Sequence, residues 1–136
     1  MSEKNLFRFP WRRRSFWPAV AAVLCLLGSG LAHAGGDASR GGKVFAQECA
    51  ECHSMKAGKN KKGPSLFGVV GQQSANIADF SYSDALKQAG WSWTPEQLDA
   101  YIAHPKTVVA GGKMKYDGLD DASARADLIA YLASVH

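Results

Sequence analysis

Five consecutive residues, Cys49-Ala50-Glu51-Cys52-His53, limit what this chain can become more than any other feature. Thiols at i and i+3 fall on one side of a helical turn, and C-x-x-C-H is the spacing of c-type haem attachment. Each thiol can add to one vinyl group of the ring, and the adjacent imidazole is then carried beneath the iron as its fifth ligand. Two other chemistries use paired cysteines. A zinc site would need two more ligands, and the sequence has neither a second Cys pair nor a spaced His pair. A thioredoxin-like redox pair belongs in a βαβ pattern, which is absent around the motif.

The rest of the composition agrees with a cofactor-centred core. Residues 35–136 hold only 18 Leu, Ile, Val and Phe, too few for an ordinary core in a domain of this length. Between His53 and Ser81 runs a stretch rich in Gly, Lys, Ser and Asn without sustained periodicity, longer than compact domains normally tolerate. A large apolar prosthetic group around which loops wrap answers both problems.

The first 34 residues have a different character. They carry five of the 16 basic residues and one of the 12 acids, so the remainder is formally neutral although the whole chain is +4. Neutrality argues against a nucleic-acid binder held by net charge. Basic residues through Arg14, an apolar run from Phe16 to Leu31 and Ala32-His33-Ala34 form the three parts of a secretory signal, with cleavage expected after Ala34. The run is shorter than the roughly 20 residues of a spanning helix and contains Pro18 and Gly28, which disfavours an uncleaved anchor. Removing residues 1–34 also removes Cys25, leaving Cys49 and Cys52 in a single domain over 35–136. Arg13-Arg14 has a twin-arginine look, but haem attachment after export favours the general secretory route for an unfolded chain.

Helical signals dominate the remainder. Ser39–Glu48 has Gly41, Val44 or Phe45, and Glu48 or Cys49 recurring at helical spacing, with the motif at its C-terminal end, and Gly41 and Gly42 within it suggest the close crossing of another helix. Ser83–Ala89 is a short helix stopped by Gly90. Thr94-Pro95-Glu96-Gln97 combines an N-cap, Pro at N1 and a capping box, opening a helix that Pro105 ends. A last helix starting near Asp120 or Asp121 stacks Ala124, Leu128, Tyr131 or Leu132, and Val135 on one face. No strand signal stands out, so the fold class is all-α.

The opposite axial position of the iron separates electron transfer from ligand chemistry. Met55 lies too close to His53 to reach the other face, which leaves Met114, His104 and His136. Met114 falls in Ala110-Gly111-Gly112-Lys113-Met114-Lys115-Tyr116, a flexible loop with no helical face for a methionine to pack on, and is the preferred ligand. His104 precedes Pro105 at a helix end, and His136 is the chain terminus. His/Met ligation raises the reduction potential and leaves no open site, which points to a carrier and away from an enzyme.

Taken together, the sequence resembles the class I c-type cytochromes, specifically the mitochondrial-type and bacterial cytochrome c2 group, over nearly all of residues 38–136. The resemblance is carried by Gly42-Lys43-Val44-Phe45, Cys49 to His53, Gly63-Pro64-Ser65-Leu66, Phe80 to Ala85, Trp93, Tyr101, Pro105-Lys106, Gly112-Lys113-Met114 and Arg125 to Leu132. It implies the cytochrome c fold, with N- and C-terminal helices crossing and short helices and long loops wrapped around one covalent haem c. It also implies that the Pro64 carbonyl orients His53, that Tyr101 hydrogen-bonds the Met114 sulfur, and that Tyr82 and Trp93 donate to a buried propionate. Gly41 and Phe45 should meet Leu128 and Tyr131 at the helix crossing. The chain departs from the group at Gln72, where an arginine is usual, at Leu86, where an asparagine is common, and at Gly112, where a threonine is common.

For partner docking, lysines fall where loops should rim the haem: Lys56, Lys59, Lys61, Lys62, Lys87, Lys106, Lys113 and Lys115. Asp117, Asp120, Asp121 and Asp127 form an opposing acidic set, and such polarity can steer a neutral protein toward an acidic patch. The expected role is a monomeric periplasmic electron carrier between a quinol-oxidising bc1-type complex and a terminal oxidase or photosynthetic reaction centre. The competing role is a haem peroxidase, gas binder or sensor with a labile sixth ligand. A dedicated partner of one dehydrogenase or denitrification enzyme is a third.

Overall fold

The computed structural model describes residues 35–136; the export signal expected over residues 1–34 lies outside the described residues. Five helices are present among them: α1 (Ala38–Glu48), α2 (Asp84–Ala89), α3 (Pro95–Ala103), α4 (Pro105–Val108) and α5 (Ala122–Ser134). The described residues contain no strand, only an isolated antiparallel bridge between Gln73 and Ser92. None of these helices is long and apolar enough to cross a membrane.

Each long helix begins where a side chain can take up an orphan N–H. The Asp37 carboxylate accepts from the Arg40 amide at 2.8 Å and starts α1. Asp121, one of the two expected starts for the last helix, accepts from the Ser123 and Ala124 amides at 2.8 and 3.1 Å. Ser83 caps α2, which ends on Gly90 at φ 64°, a left-handed conformation that glycine adopts without strain. Thr94 Oγ1 accepts from the Gln97 amide at 3.2 Å, as the sequence suggests. The reciprocal half of the capping box is not made, because the Thr94 N–H donates to the Ser92 carbonyl at 2.9 Å. Pro105 does more than end α3: having no N–H to lose, it occupies the first turn of α4.

The crossing of α1 and α5 is the centre of the apolar core. Phe45, Leu128 and Leu132 are buried against one another, and the Phe45 and Tyr131 rings lie 5.6 Å apart. Gly41 makes the approach possible, since a Cβ there would stand 1.9 Å from the Asp127 carbonyl oxygen and 2.7 Å from Tyr131 Cβ. Glycine in a helix interior costs about 1 kcal/mol in propensity. Burial of the ring and two leucines offsets it, at roughly 1.5–3 kcal/mol for each side chain.

Asp127 is not one of a set of surface acids. Its side chain is only 7% exposed, and it accepts from Arg40 Nε at 2.6 Å, Arg40 Nη2 at 2.8 Å and the Asp37 N–H at 2.6 Å. The tertiary cause is that the N-terminus of α1 folds onto the middle of α5, so burial of the carboxylate is compensated by a bidentate cation. These hydrogen bonds, Arg40 foremost, hold the Asp127 carboxyl below its ordinary value of 3.8. Its contribution to stability is therefore complete above about that pH and is lost as the pH falls through the lower folded value. Asp127→Asn should lower the melting temperature at neutral pH, with the gap to wild type closing in acid. Thermal melts between pH 2 and 7 check this; a gap constant with pH would mean that the carboxylate charge does not matter.

The long segment after the motif is held by side-chain as well as backbone hydrogen bonds. Ser54 Oγ donates to the Lys59 carbonyl at 2.6 Å, Ser65 Oγ donates to the Lys56 carbonyl at 2.7 Å, and Asn60 Oδ1 accepts from the Ser65 amide at 2.9 Å. Its Ser and Asn content, which on sequence alone marks an irregular stretch, adds side-chain bonds to the backbone ones that define it.

Candidate haem site

The motif continues the turn of α1. The Cys49 and Ala50 amides both donate to the Phe45 carbonyl at 2.9 Å, and the His53 amide donates to the Cys49 carbonyl at 2.9 Å. Both thiols are free and half-buried. Burial, with Glu48 and Cys52 adding to it, pushes the Cys49 thiol up to about 11. The imidazole of His53 is turned by its Nδ1, which lies 2.8 Å from the Pro64 carbonyl oxygen. A carbonyl can only accept, so Nδ1 carries the proton and Nε2 keeps its lone pair free for a metal. Burial, more than the opposing Pro64 bond, holds the ring's pKa below its ordinary value and favours this neutral form.

Gly63 belongs to the site although the sequence gives it no role of its own. A Cβ at this position would stand 2.4 Å from His53 Cε1 and 2.8 Å from Nδ1. The Gly63 amide also donates to the Cys52 carbonyl at 2.8 Å. Only a residue without a side chain lets the Gly63-Pro64 backbone lie this close to the ring. The glycine before Pro64 was visible in the sequence, but no local pattern places it against an imidazole ten residues earlier.

Cys49, Cys52, His53, Pro64, Tyr82, Trp93, Tyr101 and Met114 all line one cavity of about 1000 Å³. Every residue singled out for cofactor binding is thus brought to a single space, at the upper end of the ~300–1,000 Å³ usual for ligand sites. Leu98, Leu128 and Leu132 from the core complete its apolar lining. Tyr82 and Trp93 are buried, and the Trp93 and Tyr101 rings are 5.1 Å apart. Burial raises the pKa of both Tyr82 and Tyr101 above the ordinary tyrosine value. Tyr101 and Met114 also share a smaller adjoining pocket of about 60 Å³, and no hydrogen bond joins them among the described residues.

This lining fits a covalently held haem. Two thiols and a free imidazole nitrogen stand within five residues on the cavity surface, a thioether lines the same space, and the remaining wall is largely apolar. Among the described residues no cluster of three or more His, Cys, Asp or Glu is placed to hold a bare ion.

The three departures noted in the sequence also line the cavity. Gln72 is paired with Asn76, whose Nδ2 donates to Gln72 Oε1 at 2.9 Å, so this part of the wall carries a neutral amide pair. Gly112 is crowded: a Cβ would lie 3.1 Å from the Val109 carbonyl oxygen and 3.5 Å from Val109 Cγ1. Leu86 adds apolar surface. Of the histidines set aside as ligands, His104 is exposed away from the cavity, whereas His136 contributes to its lining.

The lysines separate into groups. Lys62, Lys113 and Lys115 line the cavity, and Lys106 lines the pocket beside Met114. Lys56, Lys59, Lys61 and Lys87 line neither. Lys62 pairs with Glu51 at 2.5 Å, Lys87 with Asp84 at 3.5 Å, Lys106 with Asp117, and Lys61 donates to the Ala50 carbonyl. Among the described residues, Lys113 and Lys115 form no ion pair.

Comparison with known proteins shows the family. The family description "Cytochrome c" matches residues 38–136. The chain is 45% identical over 100 residues to cytochrome c2 of Rhodopila globiformis, covering 74% of this chain and 94% of the relative. It is 43% identical over 98 residues to cytochrome c of Arabidopsis thaliana, covering 71% and 88% respectively. Cytochrome c-type cyt cy of Rhodobacter capsulatus is 46% identical over 97 residues, covering 71% of this chain but 48% of that longer protein. With the motif, the all-helical fold and the cavity in place, the chain belongs to the cytochrome c family and carries haem c attached through Cys49 and Cys52.

Proposed function

We propose that this cytochrome c is an exported one-electron carrier whose iron is held by His53 and Met114. The observation that carries the reading is that an imidazole with its free nitrogen set by Pro64 and the Met114 thioether line one largely apolar cavity. Haem c supplies an iron that accepts and releases a single electron. The chain's own part is to keep that change inexpensive. His53 is fixed by the Pro64 carbonyl and by the Gly63 backbone packed against its ring, so it need not move. Leu98, Leu128 and Leu132 keep water from much of the wall. Tyr82 and Trp93 are buried in the cavity lining and carry a hydroxyl and an indole N–H that could serve a propionate. With His53 and Met114 both holding the iron, substrate and oxygen would find no open site, which favours a carrier over a peroxidase or gas sensor.

The proposed location is the periplasm, supported by the export pattern of residues 1–34. The proposed partners are redox complexes with acidic docking patches, a bc1-type donor and an oxidase or reaction-centre acceptor. Lys113 and Lys115, which line the cavity and form no ion pair among the described residues, are the leading docking residues; Lys62, Lys87 and Lys106 are partly neutralised by their acids. Raising salt should slow electron exchange with the physiological partner, because screening weakens steering between exposed charges. Stopped-flow rates across ionic strength check this, and a flat response would remove the docking assignment. The ligand assignment is tested by spectra of purified ferric and ferrous protein. A weak far-red band from sulfur bound to ferric iron is expected, and binding of small ligands to the ferrous protein without denaturant would instead favour the open-site reading.

A further inference from the structure

The segment that carries Met114 has unusually little backbone support. Residues 109–121 connect α4 to α5, and the Gly112 amide donates to the Val109 carbonyl at one end while the Leu119 amide donates to the Ile102 carbonyl at the other. Among the described residues no backbone–backbone hydrogen bond involves residues 113–118. Three side chains therefore tie this stretch down. Lys113 Nζ lies 3.4 Å from the Ser81 and Tyr82 carbonyls, at the limit of hydrogen bonding. Asp117 pairs with Lys106, and both are exposed. Tyr116 donates its hydroxyl to Glu48 Oε2 at 2.9 Å.

The third tie differs from the others in where it leads. Glu48 is the last residue of α1 and precedes Cys49, so the bond joins the methionine loop to the haem-attachment helix. Both residues line the cavity. Tyr116 is half-buried while Glu48 is exposed, and the acceptor is a carboxylate, the stronger kind. Neither residue type is distinctive in the sequence, where they stand 68 positions apart.

We infer that the Tyr116–Glu48 hydrogen bond is the positioning tie that keeps the Met114 loop closed on the cavity. Tyr116 and Glu48 are positioning residues: they act on the iron site through the loop. The inference rests on Met114 being the sixth ligand. Without the tie the loop spends more time away from the cavity, and an external ligand competes more successfully with the thioether.

Imidazole binding to the ferric holoprotein reads this competition directly, because imidazole enters only when Met114 leaves. Tyr116→Phe keeps the ring and removes the donor; its imidazole affinity should rise roughly fivefold, equivalent to the ~1 kcal/mol of one net hydrogen bond. Glu48→Ala should give the same rise, and the double variant little more than either single one, the signature of a shared interaction. Glu48→Gln keeps an acceptor, but a neutral and weaker one, so its affinity should fall between wild type and Glu48→Ala. Amide hydrogen exchange of residues 113–118 should quicken in Tyr116→Phe while the α1 and α5 amides keep their protection. Unchanged affinity and exchange in Tyr116→Phe, or full additivity in the double variant, overturns the tie while a far-red band in the wild type leaves the Met114 assignment standing. Absence of that band in the wild type overturns the Met114 assignment and the tie together.

Discussion

Met114→Ala should yield a protein that is still red, because the haem stays attached through Cys49 and Cys52, but that has lost its far-red ferric band. Its reduction potential should fall by on the order of a few hundred millivolts, a substantial share of the ~0.8 V that axial ligation commands. On the proposed ligation the variant would lose the neutral thioether that favours ferrous iron and would leave the position open to an added small ligand. Nothing else on the cavity surface supplies a thioether in its place: Met55 lies two residues from His53 and outside the cavity lining. The variant should bind imidazole or azide without the competition that the wild type offers. Visible spectra with a redox titration decide the matter. An unaltered far-red band and potential would remove Met114 as the ligand, and His136, the other unassigned candidate on the lining, would be examined next.

Gly41→Val should be the most damaging single change away from the haem. Even the first carbon of its side chain would stand 1.9 Å from the Asp127 carbonyl oxygen, which is backbone and has no rotamer by which to withdraw. The helices must separate, opening the contact of Phe45 with Leu128 and Leu132 and straining the Arg40–Asp127 pair. Overpacking of this kind costs about 3 kcal/mol or more, which for a domain of this size lowers the melting temperature by roughly 12–24 °C. The covalent haem should be retained. Gly42→Ala makes a useful comparison, since its added carbon would meet only the Tyr131 ring at 3.4 Å, and its loss should be far smaller. Calorimetry of the two variants checks this; equal melting temperatures would mean that the crossing is looser than its geometry implies.

The same contrast runs through the whole molecule. Cys49-Ala50-Glu51-Cys52-His53 declares its chemistry locally, because attachment and ligation need three residues within one turn. Helix starts at Ser83 and Thr94 are likewise legible, since an N-cap and its amide lie within three residues. The capping box at Thr94 was half right, its second bond being displaced by a turn to Ser92 that only the folded chain shows. Asp127 looked like a surface acid because its partners, Arg40 and the Asp37 amide, lie 87 and 90 residues away.

What the sequence determined by itself was therefore the cofactor and the all-helical class, since each depends on neighbours in the chain or on a residue type used for little else. What only the tertiary structure decided was which groups face one another. Gly63 against the His53 ring, Gly41 beneath Asp127, the buried state of Asp127 and the Tyr116–Glu48 bond all arise when distant segments pack around one cavity. The physical reason is range: capping and motif spacing act over three or four residues, whereas close packing and burial of charge depend on atoms brought together by the complete fold.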